Sequence, residues 1–177
     1  TAFTQFVFAQ CGKNEYPFFE GAIGVGIIST FVKDKIQTEF PPTLFRVDYR
    51  YNKRYSFGLF AGHTIVNSVT DLFGDGVYEE FRNRFSMGGI RFAVHSTYFE
   101  KWDLYGGMNF AYTLSRVEVL HGNMTQLKNH LNYKPVRGAL MTSAFLGAKY
   151  LVKAKTTLFV EVGYGISLLS FGVTRKL

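Results

Sequence analysis

The residues that could bind a metal ion or act as a nucleophile are few and widely spaced. Cys11 is the only cysteine, which excludes an internal disulfide bond and a cysteine-rich metal site. The four histidines are scattered and lack the spacing of a metal site. They are His63, His95, His121 and His130. Asp71 and Asp75 lie in a polar stretch without the acidic spacing of a calcium loop, so turn chemistry is the better interpretation. We therefore expect no metal ion and no cofactor.

The composition favours a chain that meets lipid. Its 177 residues are enough for one domain, and 47% are hydrophobic and 18% aromatic. No run approaches the ~20 apolar residues that a membrane helix needs, so the apolar residues must be spread in alternation. The formal net charge of +7 suits lipid phosphates as well as nucleic acid. We find no basic helix and no nucleic-acid motif, and expect no nucleic-acid partner.

Eight segments show the period-two alternation of a β-strand with one apolar and one polar face. In the last segment, Leu169, Phe171 and Val173 fall on one side and polar or small residues on the other, although Arg175 interrupts the apolar set. The predicted strands are about 19–31, 43–51, 54–62, 81–98, 102–115, 136–152, 156–165 and 168–177. In the fourth strand, Phe81, Phe85 and Met87 are assigned to the apolar side, and a change of phase at Gly88-Gly89 predicts a β-bulge.

The connections between these strands alternate in length. Long polar loops are predicted at residues 33–42, 67–79 and 116–135, and tight turns at 52–53, 100–101 and 153–155; the last connection, at 165–166, is short. The first loop is closed by Pro41-Pro42, a strand breaker. An up-and-down transmembrane barrel with tight periplasmic turns and longer extracellular loops has this layout. We therefore predict an all-β, eight-stranded antiparallel barrel. A soluble barrel of the lipocalin type, apolar inside and polar outside, is the alternative.

The last strand, the alternation and the loop asymmetry together resemble small bacterial outer-membrane barrels of the OmpX-like or OmpA-barrel-like kind, particularly those of Bacteroidota. This resemblance covers roughly residues 18–177, taken as the barrel. Residues 1–17 are interpreted as an N-terminal segment, either a signal-peptide remnant or a periplasmic arm. The resemblance implies a location in the bacterial outer membrane. It also implies a structural, adhesion-type or accessory-subunit role.

The polar faces of the predicted strands carry charges of both signs. They are Glu20, Arg46, Asp48, Arg50, Arg54, Arg91, Asp103, Lys149 and Glu161. An eight-stranded barrel is just wide enough for side chains to fill it, and charges inside it must be paired or hydrated. We therefore predict an ion network that fills the lumen. A proton relay and a narrow channel for ions or small solutes are the sharper alternatives.

An enzymatic role would need further groups. Some small outer-membrane barrels modify lipid, and a lipid A deacylase of this size resembles a serine hydrolase with His and Ser two residues apart on an outward strand face. Nucleophile and base must lie within hydrogen-bond reach. At that spacing His63 is followed by Ile65 and His95 by Thr97, and neither pair fits. We therefore predict that the protein is not an enzyme, and keep a lipid-modifying enzyme as an alternative.

The outer wall and the external loops are left to carry the function. An interfacial aromatic belt is predicted beside the tight turns, formed by Tyr49, Tyr51, Tyr55, Tyr98 and Trp102. Basic groups in the long loops are predicted to contact lipopolysaccharide phosphates or an acidic partner. They are Lys33, Lys35, His121, Lys128, His130 and Lys134. We predict a non-enzymatic barrel that acts by contact with outer-membrane lipid, lipopolysaccharide or other outer-membrane proteins.

Overall fold

The computed structural model describes residues 16–27, 36–70, 79–96, 101–121 and 136–177. Eight antiparallel strands form a closed barrel, in which consecutive strands pair and β8 pairs with β1. The strands are β1 (Phe18–Gly26), β2 (Ile36–Arg50), β3 (Tyr55–Thr70), β4 (Glu79–His95), β5 (Trp102–His121), β6 (Val136–Lys153), β7 (Thr156–Gly163) and β8 (Leu169–Lys176). The predicted fold class is confirmed. Within the described ranges, no helix is long and apolar enough to cross a membrane.

The two faces of the wall differ as the alternation predicts. Large apolar side chains point outward and are about half exposed, among them Phe45, Phe110 and Val160. The neighbouring positions in the same strands point inward, and there Arg46 and Glu161 are buried. A soluble ligand-binding barrel has the opposite distribution. An apolar exterior around a polar interior is the distribution of a barrel that lies in lipid.

The prediction for Pro41-Pro42 is wrong, because β2 continues through both prolines. Register shifts occur between Thr38 and Phe40 and between Phe40 and Thr43 in the pairing of β2 with β3. These irregularities accommodate two residues that cannot donate a ladder hydrogen bond. Proline is tolerated here because the described part of β1 pairs with β2 only as far as Val25, opposite Thr43. Beyond that point no described residue pairs with β2 on this side, so within the described ranges this side of β2 is an edge.

The β-bulge predicted at Gly88-Gly89 is also absent. The pairing of β4 with β3 and with β5 runs through both glycines without a register shift. Phe81, Phe85 and Met87 therefore point inward and are buried, contrary to the prediction. The strand geometry is therefore the same on both sides of Gly88-Gly89, and only the polarity of the inward and outward side chains changes there. Above the glycines most inward positions of β4 are apolar, whereas the outward positions carry Arg82 and Arg84, which form ion pairs on the surface.

Strand lengths are uneven around the barrel. β7 and β8 have 8 residues each and β1 has 9, whereas β5 has 20. A transmembrane strand needs ~9–11 residues, so β2–β6 extend beyond the membrane on the loop side. The predicted loops at 67–79 and 116–135 are shortened accordingly, because residues 67–70 and 116–121 are strand. The remaining loop residues and the segment 1–15 lie outside the described part of the chain.

The orientation of the wall can be tested with Phe110→Arg. An arginine at the lipid-facing middle of β5 should oppose membrane insertion by about 2–4 kcal/mol. The measurement is the folded fraction after refolding into lipid vesicles, from the heat-dependent gel shift. The matched control is Leu120→Arg, also on β5 and exposed but in the part that extends beyond the membrane. Equal folding of both variants would contradict the assignment of the wall to lipid.

Candidate functional site

The lumen near the tight turns contains an ion cluster centred on Glu161. Arg46 Nη1 lies 2.8 Å and Arg91 Nη2 3.0 Å from Glu161 Oε2, and the Tyr105 hydroxyl donates to the same oxygen at 3.1 Å. Asp48 completes the cluster, with its carboxylate 3.3 Å from Arg46 Nε and 3.6 Å from Arg91 Nε. Two guanidinium groups are thus balanced by two carboxylates. This matters because an unpaired buried ion costs several kcal/mol.

Aromatic rings pack against the same two arginines. The Arg46 guanidinium carbon lies 4.1 Å from the ring centroid of Phe159, and that of Arg91 lies 4.0 Å from the centroid of Phe145. Both phenylalanines are almost fully buried on inward positions of β7 and β6. A cation over a ring face is attracted by the ring quadrupole, more strongly when water is excluded. Rings and ions therefore fill this cross-section of the lumen together.

A second group of ions lies at the turn-side mouth. Lys149 pairs with Glu20 across the barrel. Arg50 Nη1 lies 2.6 Å from Asp103 Oδ2. Arg50 also donates to two backbone carbonyls of the β2–β3 turn, at residues 52–53, with distances of 3.3 and 3.1 Å. The side chain of Arg50 therefore links the backbone of the β2–β3 turn to the Asp103 carboxylate in the lumen.

One predicted member of the network, Arg54, is not part of it. Arg54 lies in the β2–β3 turn, not in β3, and its side chain is exposed. Its backbone nitrogen donates to Asn52 Oδ1 at 2.8 Å, as in an Asx turn, and its carbonyl accepts from His95 N at 2.7 Å. Extrapolating the β3 alternation one residue too far placed this arginine inside. The structure brings the other predicted lumen residues together in the contacts described above.

Sequence reasoning missed a serine–histidine–aspartate chain at the same mouth. Ser56 Oγ lies 2.8 Å from His95 Nε2, and His95 Nδ1 lies 2.9 Å from Asp103 Oδ2. These are the distances of a hydrolase triad. The three residues lie on β3, β4 and β5, so only cross-strand register brings them together. The detectable signal was that His95 shares the inward parity of Arg91.

The burial of the Ser56–His95–Asp103 hydrogen-bonded chain argues against nucleophilic catalysis. Ser56 is 3% exposed and His95 is 5% exposed, so the hydroxyl that would attack is closed off from substrate. Asp103 also accepts a hydrogen bond from Arg50, which ties the carboxylate to the ion network. The arrangement therefore satisfies buried polar groups, as a narrow lumen requires. In the part of the chain that the structure describes, no cluster of three or more metal-ligating side chains occurs.

A second serine–histidine contact lies on the outer wall. His63 Nδ1 is 2.8 Å from Ser86 Oγ, and the two residues are direct cross-strand partners on β3 and β4. The Phe40 ring packs 5.9 Å from the His63 ring, centroid to centroid. No carboxylate among the described residues contacts this imidazole, so the third group that orients a catalytic base is missing from this part of the structure.

The loop-side half of the lumen is closed by an apolar layer. Leu44, Phe60, Phe85 and Met87 pack together there, and Ile166 from the β7–β8 connection inserts among them. Gly62 makes room for this insertion, since a Cβ at that position would lie 2.8 Å from Ile166 Cδ1. The short last connection therefore folds into the barrel mouth and does not extend outward. A cavity of about 30 Å³ remains beneath it, beside Arg91 and Glu161.

The predicted aromatic belt lies on the outward face near the tight turns. Tyr51, Tyr55 and Trp102 are 59%, 41% and 50% exposed. Tyr49 is half-buried because its ring packs 4.9 Å from that of Phe19. Tyr98 lies outside the described residues. The predicted loop contacts lie there too, namely Lys33, Lys35, Lys128, His130 and Lys134; His121 is the last residue of β5, and its side chain is not described.

Comparison with known proteins gives a fold but no family. No family model matches the chain, and no curated protein matches it. Among solved structures, the outer membrane protein OprG of Pseudomonas aeruginosa superposes with a TM-score of 0.56 at 10% identity, covering 91% of this chain and 93% of that one. A designed transmembrane β-barrel superposes with a TM-score of 0.53 at 12% identity, covering 92% and 98%. The class is therefore the eight-stranded barrel of outer-membrane type.

The energetic weight of the Glu161 cluster can be tested with Arg46→Met. Removing this guanidinium leaves buried carboxylates underpaired, which should lower the free energy of unfolding by about 3–5 kcal/mol. The measurement is urea unfolding in lipid vesicles, followed by Trp102 fluorescence. The control is Arg84→Met, which breaks a 3.4 Å pair with Glu118 between side chains about 40% exposed and should cost no more than about 1 kcal/mol. A smaller loss for Arg46→Met than for the control would contradict a buried ion cluster.

The two serine–histidine contacts can be tested with a fluorophosphonate that labels activated serines. We expect no labelling of the purified barrel, because the Ser56 hydroxyl is buried and the His63 base lacks an orienting carboxylate in the described structure. A known serine hydrolase in the same detergent serves as the positive control. Labelling that disappears in Ser56→Ala or in Ser86→Ala would overturn this prediction and identify the reacting serine.

Proposed function

We propose that this protein is a non-enzymatic β-barrel of the bacterial outer membrane that acts by contact on the extracellular side. It is of the small OmpX-like or OmpA-barrel-like kind, as its alternation, loop asymmetry and last strand suggest. Two features support contact in preference to transport. The lumen is occupied by the Glu161 cluster in one half and by the apolar layer around Ile166 in the other. A solute path would have to displace both.

The observation that carries the proposal is an open strand edge above the membrane. β7 pairs with β6 only up to Gly163, opposite Phe145, so β6 from Val136 to Thr142 has no described partner on that side. The Ala144 carbonyl accepts from Tyr164 N, which shows that even-numbered residues of β6 direct their backbone groups to this side. Leu140 and Thr142 therefore present N–H and C=O groups at the edge that no described residue pairs with.

The two edges of the projecting strands differ. On β2, the edge above Thr43 contains Pro41 and Pro42, which cannot donate and which protect an edge from pairing. The β6 edge has no proline between Val136 and Thr142, and Leu140 is 87% exposed. An extended segment of a partner can add to such an edge by main-chain hydrogen bonds. We therefore propose the β6 edge as the contact surface.

The chemistry of the rim adds to the proposal. Arg116 and Arg137 are exposed where β5 and β6 extend beyond the membrane. Further basic groups in the neighbouring sequence are His121 at the end of β5 and the loop residues Lys33, Lys35, Lys128, His130 and Lys134. Such groups favour an acidic partner segment or lipopolysaccharide phosphates. The contact would serve either an accessory subunit of a larger outer-membrane complex or an adhesion-type surface barrel.

Leu140→Pro tests the open edge. The probe is a fluorescent nine-residue peptide of alternating Thr and Val, and the measurement is its anisotropy with the barrel in micelles. Proline at this position removes an N–H that points to the edge and not to β5, so the barrel should fold. Binding should weaken about tenfold, the loss of about one good hydrogen bond.

The matched control is Leu140→Ala, which removes the side chain and keeps the backbone. It should bind the peptide within about threefold of wild type if main-chain pairing dominates. Equal losses in both variants would show apolar adhesion through the side chain, and unchanged binding of Leu140→Pro would rule out the edge.

A further inference from the structure

Two sequence features remain unexplained by contact on the extracellular side. Arg175 interrupts the apolar outward face of β8, and Gly21 leaves one outward position of β1 without a side chain. The register of the barrel makes them direct neighbours, because Gly21 pairs with Arg175 on one side and with Val47 on the other. Arg175 also pairs with Thr156, the first residue of β7. The pair therefore lies near the tight turns, at the periplasmic side of the wall.

An open apolar groove of about 590 Å³ extends from this pair along the outer wall. Gly21 forms part of its floor, Ile23 and Phe45 lie along it, and Ala61 provides a second small outward residue. The exposed side chains of Leu59 and Val47 border it. The groove is thus an indentation in a wall that is otherwise lined by large side chains. Its width follows from small residues at two outward positions.

The groove has a charge at one end. Arg175 is exposed on the outward face, and its backbone position is fixed because Lys176 N donates to Lys155 O at 2.8 Å and Leu177 N donates to Phe19 O at 2.9 Å. On the outer wall, Glu39 and Glu118 pair with Arg82 and Arg84 near the opposite end. None of the ion pairs of the described residues includes Arg175.

We propose that this groove binds one phospholipid of the periplasmic leaflet. An acyl chain lies over Gly21 between Ile23, Phe45 and Val47, and the Arg175 guanidinium binds the phosphate. Guanidinium groups form paired hydrogen bonds with phosphate oxygens, and a cation beside the headgroup region is favourable. A second copy of this chain is a poorer occupant, because a symmetric interface on the groove would bring two Arg175 side chains together without an acidic residue.

The structure provides a variant that fills the groove without straining the wall. A Cβ at Gly21 would meet only the two Leu177 methyl groups, both at 3.9 Å, which is ordinary contact distance. Gly21→Val therefore fits the strand and occupies the floor. Its matched control is Ala144→Val, an exposed outward position on β6, away from the groove. Arg175→Gln removes the charge, and Lys155→Gln, in the nearby exposed turn, is its control.

The experiment is native mass spectrometry of the barrel released from detergent with added phosphatidylglycerol. Wild type should retain one lipid. Arg175→Gln should reduce the ratio of lipid-bound to free barrel about fivefold, the expected effect of one interfacial arginine. Gly21→Val should reduce it at least as much, and both controls should match wild type. Diacylglycerol, which lacks the phosphate, should be retained no better by wild type than by Arg175→Gln.

Three results would overturn the proposal. The first is equal retention of phosphatidylglycerol by wild type, Gly21→Val and Arg175→Gln. The second is equal retention of diacylglycerol and phosphatidylglycerol by wild type, which would leave the phosphate without a role. The third is a second copy of the barrel, retained by wild type and lost in Gly21→Val, which would make the groove a protein interface. Folding of each variant is checked beforehand by the gel shift.

Discussion

Closure of the sheet between β1 and β8 is the constraint on which the other features depend. Lipid offers no hydrogen bonds, so every backbone group at membrane depth must find a partner within the wall. With eight strands, the closed wall leaves an interior only wide enough for side chains. Inward residues from opposite strands are therefore forced into contact. Arg46 meets Glu161 although 115 residues separate them, and Lys149 meets Glu20 across 129 residues.

The surrounding medium determines which chemistry is placed inside the barrel and which outside. Near the tight turns the exterior contacts lipid and is apolar, and the polar residues of the strands point inward and pair with one another. Beyond Gly88-Gly89 the exterior carries Arg82 and Arg84, while Phe85 and Met87 form the apolar layer inside. The strands continue through the glycines without a shift, so one uninterrupted sheet crosses from lipid into water. The same strand geometry thus carries a polar interior with an apolar exterior near the tight turns, and an apolar layer inside with arginines outside beyond Gly88-Gly89.

The uneven rim separates the parts of the molecule. The short β7–β8 connection closes the lumen with Ile166. The longer β2–β6 extend outward, and one edge of β6 has no partner among the described residues. Prolines occupy the other edge, on β2. At the opposite end of the barrel, the small residue Gly21 indents the wall beside Arg175. The filled lumen, the open edge and the lipid-facing groove therefore lie in different places.

Local sequence determined the strand count, the tight turns after β2 and β6, the apolar wall and most of the inward charges, because period-two alternation needs no knowledge of distant residues. The tertiary structure decided which of these charges meet, because register and closure join strands that are far apart in sequence. Only register could bring Ser56, His95 and Asp103 together, or place Arg175 beside Gly21. Strand ends also needed the fold. Two prolines would interrupt a strand that pairs on both sides, but Pro41 and Pro42 lie where β2 has a described partner on one side only. Arg54 continues the alternation of β3, but the structure places it in the β2–β3 turn.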